Sequence, residues 1–277
     1  MAVTSELVKQ LRDKTGAGMM DCKKALDETN GDMEKAVEIL RKKGAATATK
    51  RADKAANEGI VVAKIAPDGS KAILVEINCE TDFVARGEDF VNFSRSVADV
   101  VYDAAPADVA ALLALPHPSG KTVADALSDL MAKIGERTEI RRFLSASASG
   151  SFLESYTHMG SKIAVLVELA APFSPEAKTV ARDIAMQVAA MSPLVVSRDQ
   201  VAKELVEKEL EIYRQQAKNE GKPDQIADKI ANGRLEKYYQ EVVLLEQSFI
   251  KDAGKTVKDL LAPGVSVKQF VRYQLGN

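Results

Sequence analysis

An acid and an aromatic stand side by side at Asp82-Phe83, inside the stretch Asn78-Cys79-Glu80-Thr81-Asp82-Phe83-Val84. That stretch directly follows the apolar run Ala72-Ile73-Leu74-Val75-Glu76-Ile77, which reads as a buried strand, and a helical pattern begins at Glu88-Asp89-Phe90. The chemistry such a pair offers is non-covalent. Phe83 can anchor in an apolar pocket of another protein, while Asp82 brings a charge that perturbs a polar site beside it. The residues alone leave a second reading open, in which Phe83 folds back into its own core and Asp82 caps the following helix.

Equipment for covalent chemistry is missing elsewhere in the sequence. The two histidines, His117 in Leu115-Pro116-His117-Pro118 and His158 in Tyr156-Thr157-His158-Met159-Gly160, both read as turn residues. Neither has a cysteine or carboxylate at metal or triad spacing. Gly120-Lys121-Thr122 imitates the end of a phosphate loop, but Leu115 stands where that pattern requires glycine. Cys22 and Cys79 are too few and too far apart for a disulfide framework or a metal site, and Cys22 falls at an apolar helical position. No catalytic residue, cofactor, metal or small-molecule substrate is expected.

The totals narrow the class further. At 277 residues, more than one unit is expected. The 40 acidic and 38 basic side chains nearly balance, which argues against a sequence-independent grip on nucleic acid. No apolar run approaches the roughly 20 residues that span a bilayer, and the start Met1-Ala2-Val3-Thr4-Ser5-Glu6 has no export signal. A reducing cytoplasm is the expected location.

Several elements must position the acid and the aromatic. Residues 4–43 read as three short helices: Leu7, Val8 and Leu11 give one stripe, Met19, Met20, Cys22, Ala25 and Leu26 the next, and Met33, Ala36, Val37, Ile39 and Leu40 the third. Thr15-Gly16-Ala17-Gly18 and Asn30-Gly31 separate them, Asp32 caps the third, and Lys42-Lys43-Gly44 reads as its stop. The pattern resembles a ubiquitin-associated (UBA-like) bundle. Ala45 to Asn57 reads as a tether whose basic residues give an RNA contact only as the weaker alternative.

Beyond the tether the chain repeats itself. Gly69-Ser70-Lys71-Ala72-Ile73-Leu74-Val75-Glu76-Ile77 recurs as Gly160-Ser161-Lys162-Ile163-Ala164-Val165-Leu166-Val167-Glu168-Leu169, and Lys121-Thr122-Val123-Ala124-Asp125-Ala126-Leu127 recurs as Lys255-Thr256-Val257-Lys258-Asp259-Leu260-Leu261. Strands are predicted near Ile60–Ile65 and Ser151–Tyr156 before each copy, and near Glu139–Ala146 and Ser266–Leu275 at the ends. Helices are predicted near Asp89–Val101 and Pro175–Met191. Each copy thus reads strand-strand-helix-helix-strand. Only the second is interrupted, by Asp199 to Gln247, where four-three spacing on both sides of Glu220-Gly221-Lys222-Pro223 predicts an antiparallel helical hairpin with a bend at Gly233.

The run Cys79-Glu80-Thr81-Asp82-Phe83-Val84-Ala85 resembles the signature of the elongation factor Ts family, exchange factors for the bacterial GTPase EF-Tu. Leu11-Arg12-Asp13-Lys14-Thr15-Gly16-Ala17-Gly18-Met19-Met20-Asp21-Cys22-Lys23-Lys24-Ala25-Leu26 resembles that family's amino-terminal motif, at about the family's separation, and looser similarity continues to the end of the chain. The resemblance implies that EF-Tu is the partner. It implies that Thr81, Asp82, Phe83 and Val84 enter the GTPase domain near the nucleotide's magnesium, that Met19, Met20 and Lys23 touch the same domain, and that Ile134-Gly135-Glu136 is a further contact segment. His158 is implied to meet the partner's third domain. Two departures accompany it: Met159-Gly160-Ser161-Lys162 stands where the family often has a second glycine and an arginine, and the chain ends at Asn277 without the terminal helix of some members. Two rival readings are an adaptor working through Met19 and Met20, indifferent to Asp82 and Phe83, and RNA binding through the tether and hairpin.

The expected fold is α+β, in five pieces. Residues 1–44 form a UBA-like three-helix domain, 45–57 a linker, and 58–147 one core subdomain. Residues 148–198 and 248–277 form its duplicate, and 199–247 an inserted coiled-coil hairpin through which the resemblance leaves dimerisation open.

Overall fold

A computed structural model describes residues 3–51 and 53–276, side chains at 45–50 excepted. Helices α1 (Ser5–Thr15), α2 (Met19–Glu28) and α3 (Met33–Lys50) come first. Thr4 caps α1 by accepting from the Leu7 amide, and Asp32 caps α3 by accepting from the Lys35 amide at 3.1 Å. Their apolar stripes meet around Leu11, Cys22, Ala25, Leu26 and Ala36, all buried. Lys42-Lys43-Gly44 is not the stop that its composition predicts. The helix continues to Lys50, and Gly44 within it serves packing instead: a Cβ there would stand 2.6 Å from the Cβ of Ala132. The expected tether at 45–57 therefore starts inside a helix; its side chains 45–50 and residue 52 lie outside the described residues.

The next elements are β1 (Glu58–Ile65), β2 (Lys71–Cys79), α4 (Asp82–Arg86), α5 (Glu88–Ala104), α6 (Val109–Ala114), α7 (Val123–Ile134) and β3 (Thr138–Ser147). After them come β4 (Phe152–Thr157), β5 (Ile163–Ala170), α8 (Pro175–Met191), α9 (Lys203–Asn219), α10 (Asp224–Val242), β6 (Ser248–Phe249), β7 (Asp252–Thr256) and β8 (Ser266–Gln274). Two antiparallel sheets result, ordered β1-β2-β3 and β4-β5-β8, with a small β6-β7 pair beside them. One face of the first sheet packs on α5 and α7 through Ile73, Val75, Ile77, Phe90, Val97 and Leu130. One face of the second packs on α8 through Val165, Val167, Leu169, Ile184 and Val188. The remaining faces meet each other at Val61, Leu74, Leu153 and Leu166, so the layers run helix, sheet, sheet, helix. β2 and β5 are thus covered on both sides, which is why each reads as an unbroken apolar run.

The internal repeat survives in detail. Both central strands carry a register shift directly after a glutamate, between Glu76 and Ile77 and between Glu168 and Leu169. Both glutamates are buried, and each is met by the third strand of its sheet: Arg142 donates to Glu76 at 2.7 Å, and Gln269 to Glu168 at 2.8 Å. Thr122 and Thr256 each bond the side chain of the aspartate three residues on. The helices that these threonines open are unequal. Thr122 starts the twelve-residue α7, whereas the recurrence at 255–261 yields a single 3-10 turn, Val257–Leu260, with Pro263-Gly264 just beyond it. The preceding β6-β7 pair had no counterpart in the pattern.

α9 and α10 form the predicted antiparallel hairpin, reversing at Gly221 (φ 78°), with Ala217, Ala227, Ala231, Leu235 and Tyr239 buried along the seam. α10 runs through Gly233 without interruption. At the base, Arg198 binds Glu236 at 2.9 Å and Glu246 at 2.5 Å while its guanidinium lies 4.1 Å from the Tyr239 ring centre. Among the described residues no helix is long and apolar enough to cross a membrane.

Candidate functional site

The segment after β2 is the first turn of a helix rather than an open loop. Thr81, in extended conformation, accepts the Val84 amide on its hydroxyl and the Ala85 amide on its carbonyl. Capping by Thr81, not Asp82, places Asp82 and Phe83 at the first two positions of α4. Ala85 and Val84 turn toward the core under β2, and Phe83 is left pointing outward at 81% exposure. Asp82 forms a surface ion pair with Arg86 one turn on. The reading in which Phe83 returns to its own core is overturned by that exposure.

This turn is pinned from below by residues 55 positions away in sequence. The Glu136 carboxylate accepts the Thr81 hydroxyl at 2.7 Å and the Thr81 amide at 3.0 Å. Reciprocally, the Glu80 carboxylate accepts the Arg137 amide at 2.6 Å. Arg51 donates from its single Nη1 to both oxygens of Glu80, at 2.7 and 2.8 Å. The Arg137 amide, and after it Arg51, hold the Glu80 carboxyl below the usual carboxylate range. Burial, with the negative charges of Glu136 and Glu58 behind it, pushes the Cys79 thiol up to about 12, so this cysteine is a packed and protonated neighbour.

Two of the other expected contact residues, Ile134 and Gly135, directly precede the Glu136 that holds the turn. Gly135 ends α7 in the left-handed conformation at φ 73°, which a glycine adopts without strain, and the chain then turns into Glu136 and Arg137. Ile134 is partly buried against the first core. One residue earlier, Lys133 lays its stem against Gly16, where a Cβ would come within 2.8 Å of it, and pairs with Asp89 at 2.6 Å. The amino-terminal motif is thereby set against the end of α7. Met19 and Met20 are 54% and 63% exposed beside Lys23, and the three line a shallow cleft with Val3, Thr4, Ser5 and Val8. Thr15 bonds back to the Leu11 carbonyl, and burial raises the Cys22 thiol.

His158 sits on the exposed turn between β4 and β5, its Nδ1 3.1 Å from the Tyr156 hydroxyl. The turn reaches the first sheet through Lys162, which pairs at 2.7 Å with Glu58, the residue opposite Cys79 in the β1-β2 register. His117 is packed rather than free: its Nε2 is 2.7 Å from the Ser96 hydroxyl, and burial lowers its pKa. Thr122 of the imitation phosphate loop is a helix cap, and Lys121 pairs with Asp129. Among the described residues no cluster of three or more histidine, cysteine, aspartate and glutamate side chains could hold a metal ion.

Sequence reasoning missed the roles of Glu80, Glu136, Arg137 and Arg51 in fixing the turn. Their pairing is tertiary, and nothing local in either segment marks it.

A family described as Elongation factor TS matches residues 80–277, from the clamped turn to the end of the chain. The elongation factor Ts of Chloroherpeton thalassium is 49% identical over 284 aligned positions, covering 99% of this chain and 98% of that protein. Its namesake from Prosthecochloris aestuarii is also 49% identical, with 99% of each chain covered. The elongation factor Ts of Clostridium perfringens is likewise 49% identical, over 99% of this chain and 93% of its own. With a match that begins at Glu80 and relatives that extend it through the amino-terminal helices, this chain belongs to the elongation factor Ts family of translation factors.

Proposed function

We propose that this protein is a guanine nucleotide exchange factor for the translation GTPase EF-Tu, acting without covalent chemistry. The observation that best supports the reading is Phe83, held outward at 81% exposure on a capped and clamped turn. A lone exposed hydrophobe is ordinary on a protein surface. One carried beside a carboxylate on a hydrogen-bonded turn is equipped to enter a partner with little ordering cost, because its backbone is already bonded in the presenting conformation.

On this reading Thr81, Asp82, Phe83 and Val84 enter the GTPase domain of EF-Tu near the bound nucleotide's magnesium. Phe83 wedges between partner helices, and Asp82 leaves its surface pair with Arg86, worth at most about 1 kcal/mol, to disturb the magnesium-holding region. Met19, Met20 and Lys23 contact the same domain, Ile134 and Gly135 add a further contact, and His158 meets the partner's third domain. Residues 1–44 serve as a UBA-like contact domain. The hairpin serves as a coiled-coil arm that is also the surface for any dimer, and the setting is the cytoplasm.

Exchange of this kind is thermodynamic coupling. The factor must bind nucleotide-free EF-Tu more tightly than the nucleotide-bound form, and nucleotide then weakens the factor's grip by the same factor. Each 1.4 kcal/mol of that difference lowers nucleotide affinity about tenfold. A partner that grips both states equally exchanges nothing.

Release of a fluorescent GDP analogue from bacterial EF-Tu tests the reading, using the native chain and Phe83→Ala. Acceleration by the native chain, cut about tenfold or more by Phe83→Ala while binding persists, supports it. No acceleration by the native chain discards it and leaves the adaptor reading, which depends on Met19 and Met20, in first place.

A further inference from the structure

Two acidic residues in neighbouring segments each capture a backbone amide of the other segment. Glu136, at the entry to β3, takes the Thr81 N–H and hydroxyl; Glu80, at the exit of β2, takes the Arg137 N–H. The two bonds cross, so neither segment can shift along the other without losing both. Ordinary strand pairing stops one residue earlier, at Cys79 opposite Thr138, and the carboxylates take over where the ladder ends. From there the constraint passes directly into α4, because the Thr81 hydroxyl held by Glu136 also receives the Val84 amide. Arg51, immediately after the last residue of α3, donates to both oxygens of Glu80 and closes the arrangement from the amino-terminal side.

We propose that Glu136 is a positioning residue for nucleotide exchange: through Thr81 it sets the direction in which Phe83 is presented, with Glu80 as its crossed counterpart. The inference rests on the exchange reading and adds to it a residue that itself need touch neither nucleotide nor magnesium. Charge-assisted bonds to two donors of a single residue suit this role, since they fix both the backbone and the side chain of the helix cap. Deleting the carboxylate leaves the Thr81 amide without a partner in a partly buried position and frees the cap to rotate.

The test is a double-mutant cycle on the full chain with Glu136→Ala, Phe83→Ala and the pair, reading GDP-analogue release from EF-Tu across a range of factor concentrations. Glu136→Ala is expected to lower the maximal release rate about tenfold while the half-saturating concentration moves less than about threefold. The double variant is expected to be no slower than Phe83→Ala alone, within about twofold, because both changes remove the same act. Glu136→Gln, which keeps one acceptor oxygen, is expected to recover most of the rate and guards against a loss that is merely unfolding. Losses that multiply in the double variant, or a native rate in Glu136→Ala, overturn the proposal. Amide hydrogen exchange at Val84 and Ala85 in the free protein separates this from the exchange reading itself. It is expected to quicken in Glu136→Ala and not in Phe83→Ala. Unchanged protection overturns the positioning role even if exchange by the native chain is confirmed. Failure of the native chain to release GDP, with protection lost in Glu136→Ala, sinks the exchange role while leaving the clamp as structure.

Discussion

The two copies of the repeated unit leave their central strands in different ways. In the first copy β2 runs into Glu80-Thr81, a five-residue helix intervenes, and Phe83 projects at 81% exposure before α5 begins. In the second copy β5 runs into Ala171-Pro172-Phe173, and α8 starts at once, with Ser174 accepting the Ala177 amide and Pro175 in the first turn. Phe173 is 44% exposed and lies edge-on to Phe152, ring centres 5.4 Å apart. Both junctions carry an aromatic. The extra clamped turn in the first lifts its aromatic off the core, while the second keeps its own against the sheet. A duplicated scaffold thus carries one fully projecting aromatic, and its strands and bulges are kept in both copies.

The largest expected difference between the copies concerns their buried glutamates. Glu76 is fully buried and its one partner among the described side chains is Arg142, with Oε1 left without a hydrogen bond. Glu168 is shared among Ser151, Lys268 and Gln269. Arg142→Ala strands a buried charge and is expected to cost about 3 kcal/mol in urea unfolding, against about 1 kcal/mol for Lys268→Ala. Equal losses would mean that the two sheets tolerate their glutamates by the same means.

The aromatics should separate function from stability. Phe83→Ala is expected to slow nucleotide release from EF-Tu about tenfold or more and to leave the unfolding midpoint unchanged, since the ring contacts little of its own chain. Phe173→Ala should do the reverse: release within about twofold of native and a stability loss of about 1 kcal/mol from the edge-to-face pair and its partial burial. A release defect in Phe173→Ala would make the second junction a contact as well, and the comparison would then be one of degree.

The smallest effect is the acid sensitivity that Glu80 gives the first junction. Because the Glu80 carboxyl is held below the ordinary 4.5, its bonds contribute fully above that pH, and the contribution fades as the pH falls through the lowered folded value. The second junction has Ala170-Ala171-Pro172 where the first has Glu80, and its acid is Glu176 in the first turn of α8, held below the usual carboxylate range by its own amide and by Ser174. In native protein the amides of α4 should lose protection from hydrogen exchange as the pH falls below about 4.5, through the lowered folded value of Glu80. Glu80→Gln should show weaker protection at neutral pH and a flatter response to acid.

Much of this was legible in the sequence wherever a signal is local. The runs at 71–79 and 163–170 are continuous and apolar because both strands are covered twice, and Ser174-Pro175 marks the start of α8 by cap and proline alone. Asp82-Phe83 was legible as a candidate from its place at the end of a buried strand, but the residues alone left the folded-back reading open and the family resemblance decided against it. Three things escaped. Gly44 carries the composition of a helix stop, but its missing Cβ is used sideways, against Ala132, and close packing leaves no mark in the flanking residues. Val257 repeats Val123 in burial and capping, yet the helix cannot be propagated toward Pro263. The bonds between Thr81 and Glu136 join segments that are neighbours only after β3 has paired with β2, so no window of sequence contains them.

The inserted hairpin leaves and rejoins the second subdomain through adjacent strands of chain. Val195 and Val243 form a parallel bridge, the Leu194 amide bonds the Val242 carbonyl, and the Leu244 amide bonds the Val195 carbonyl. To the rest of the protein, an arm about 25 Å long is therefore no more than a loop whose ends already touch. Evolution can lengthen, shorten or exchange such an appendage beyond Leu210 and Leu235 without asking the two sheets to adapt, and a protein engineer can graft onto it on the same terms.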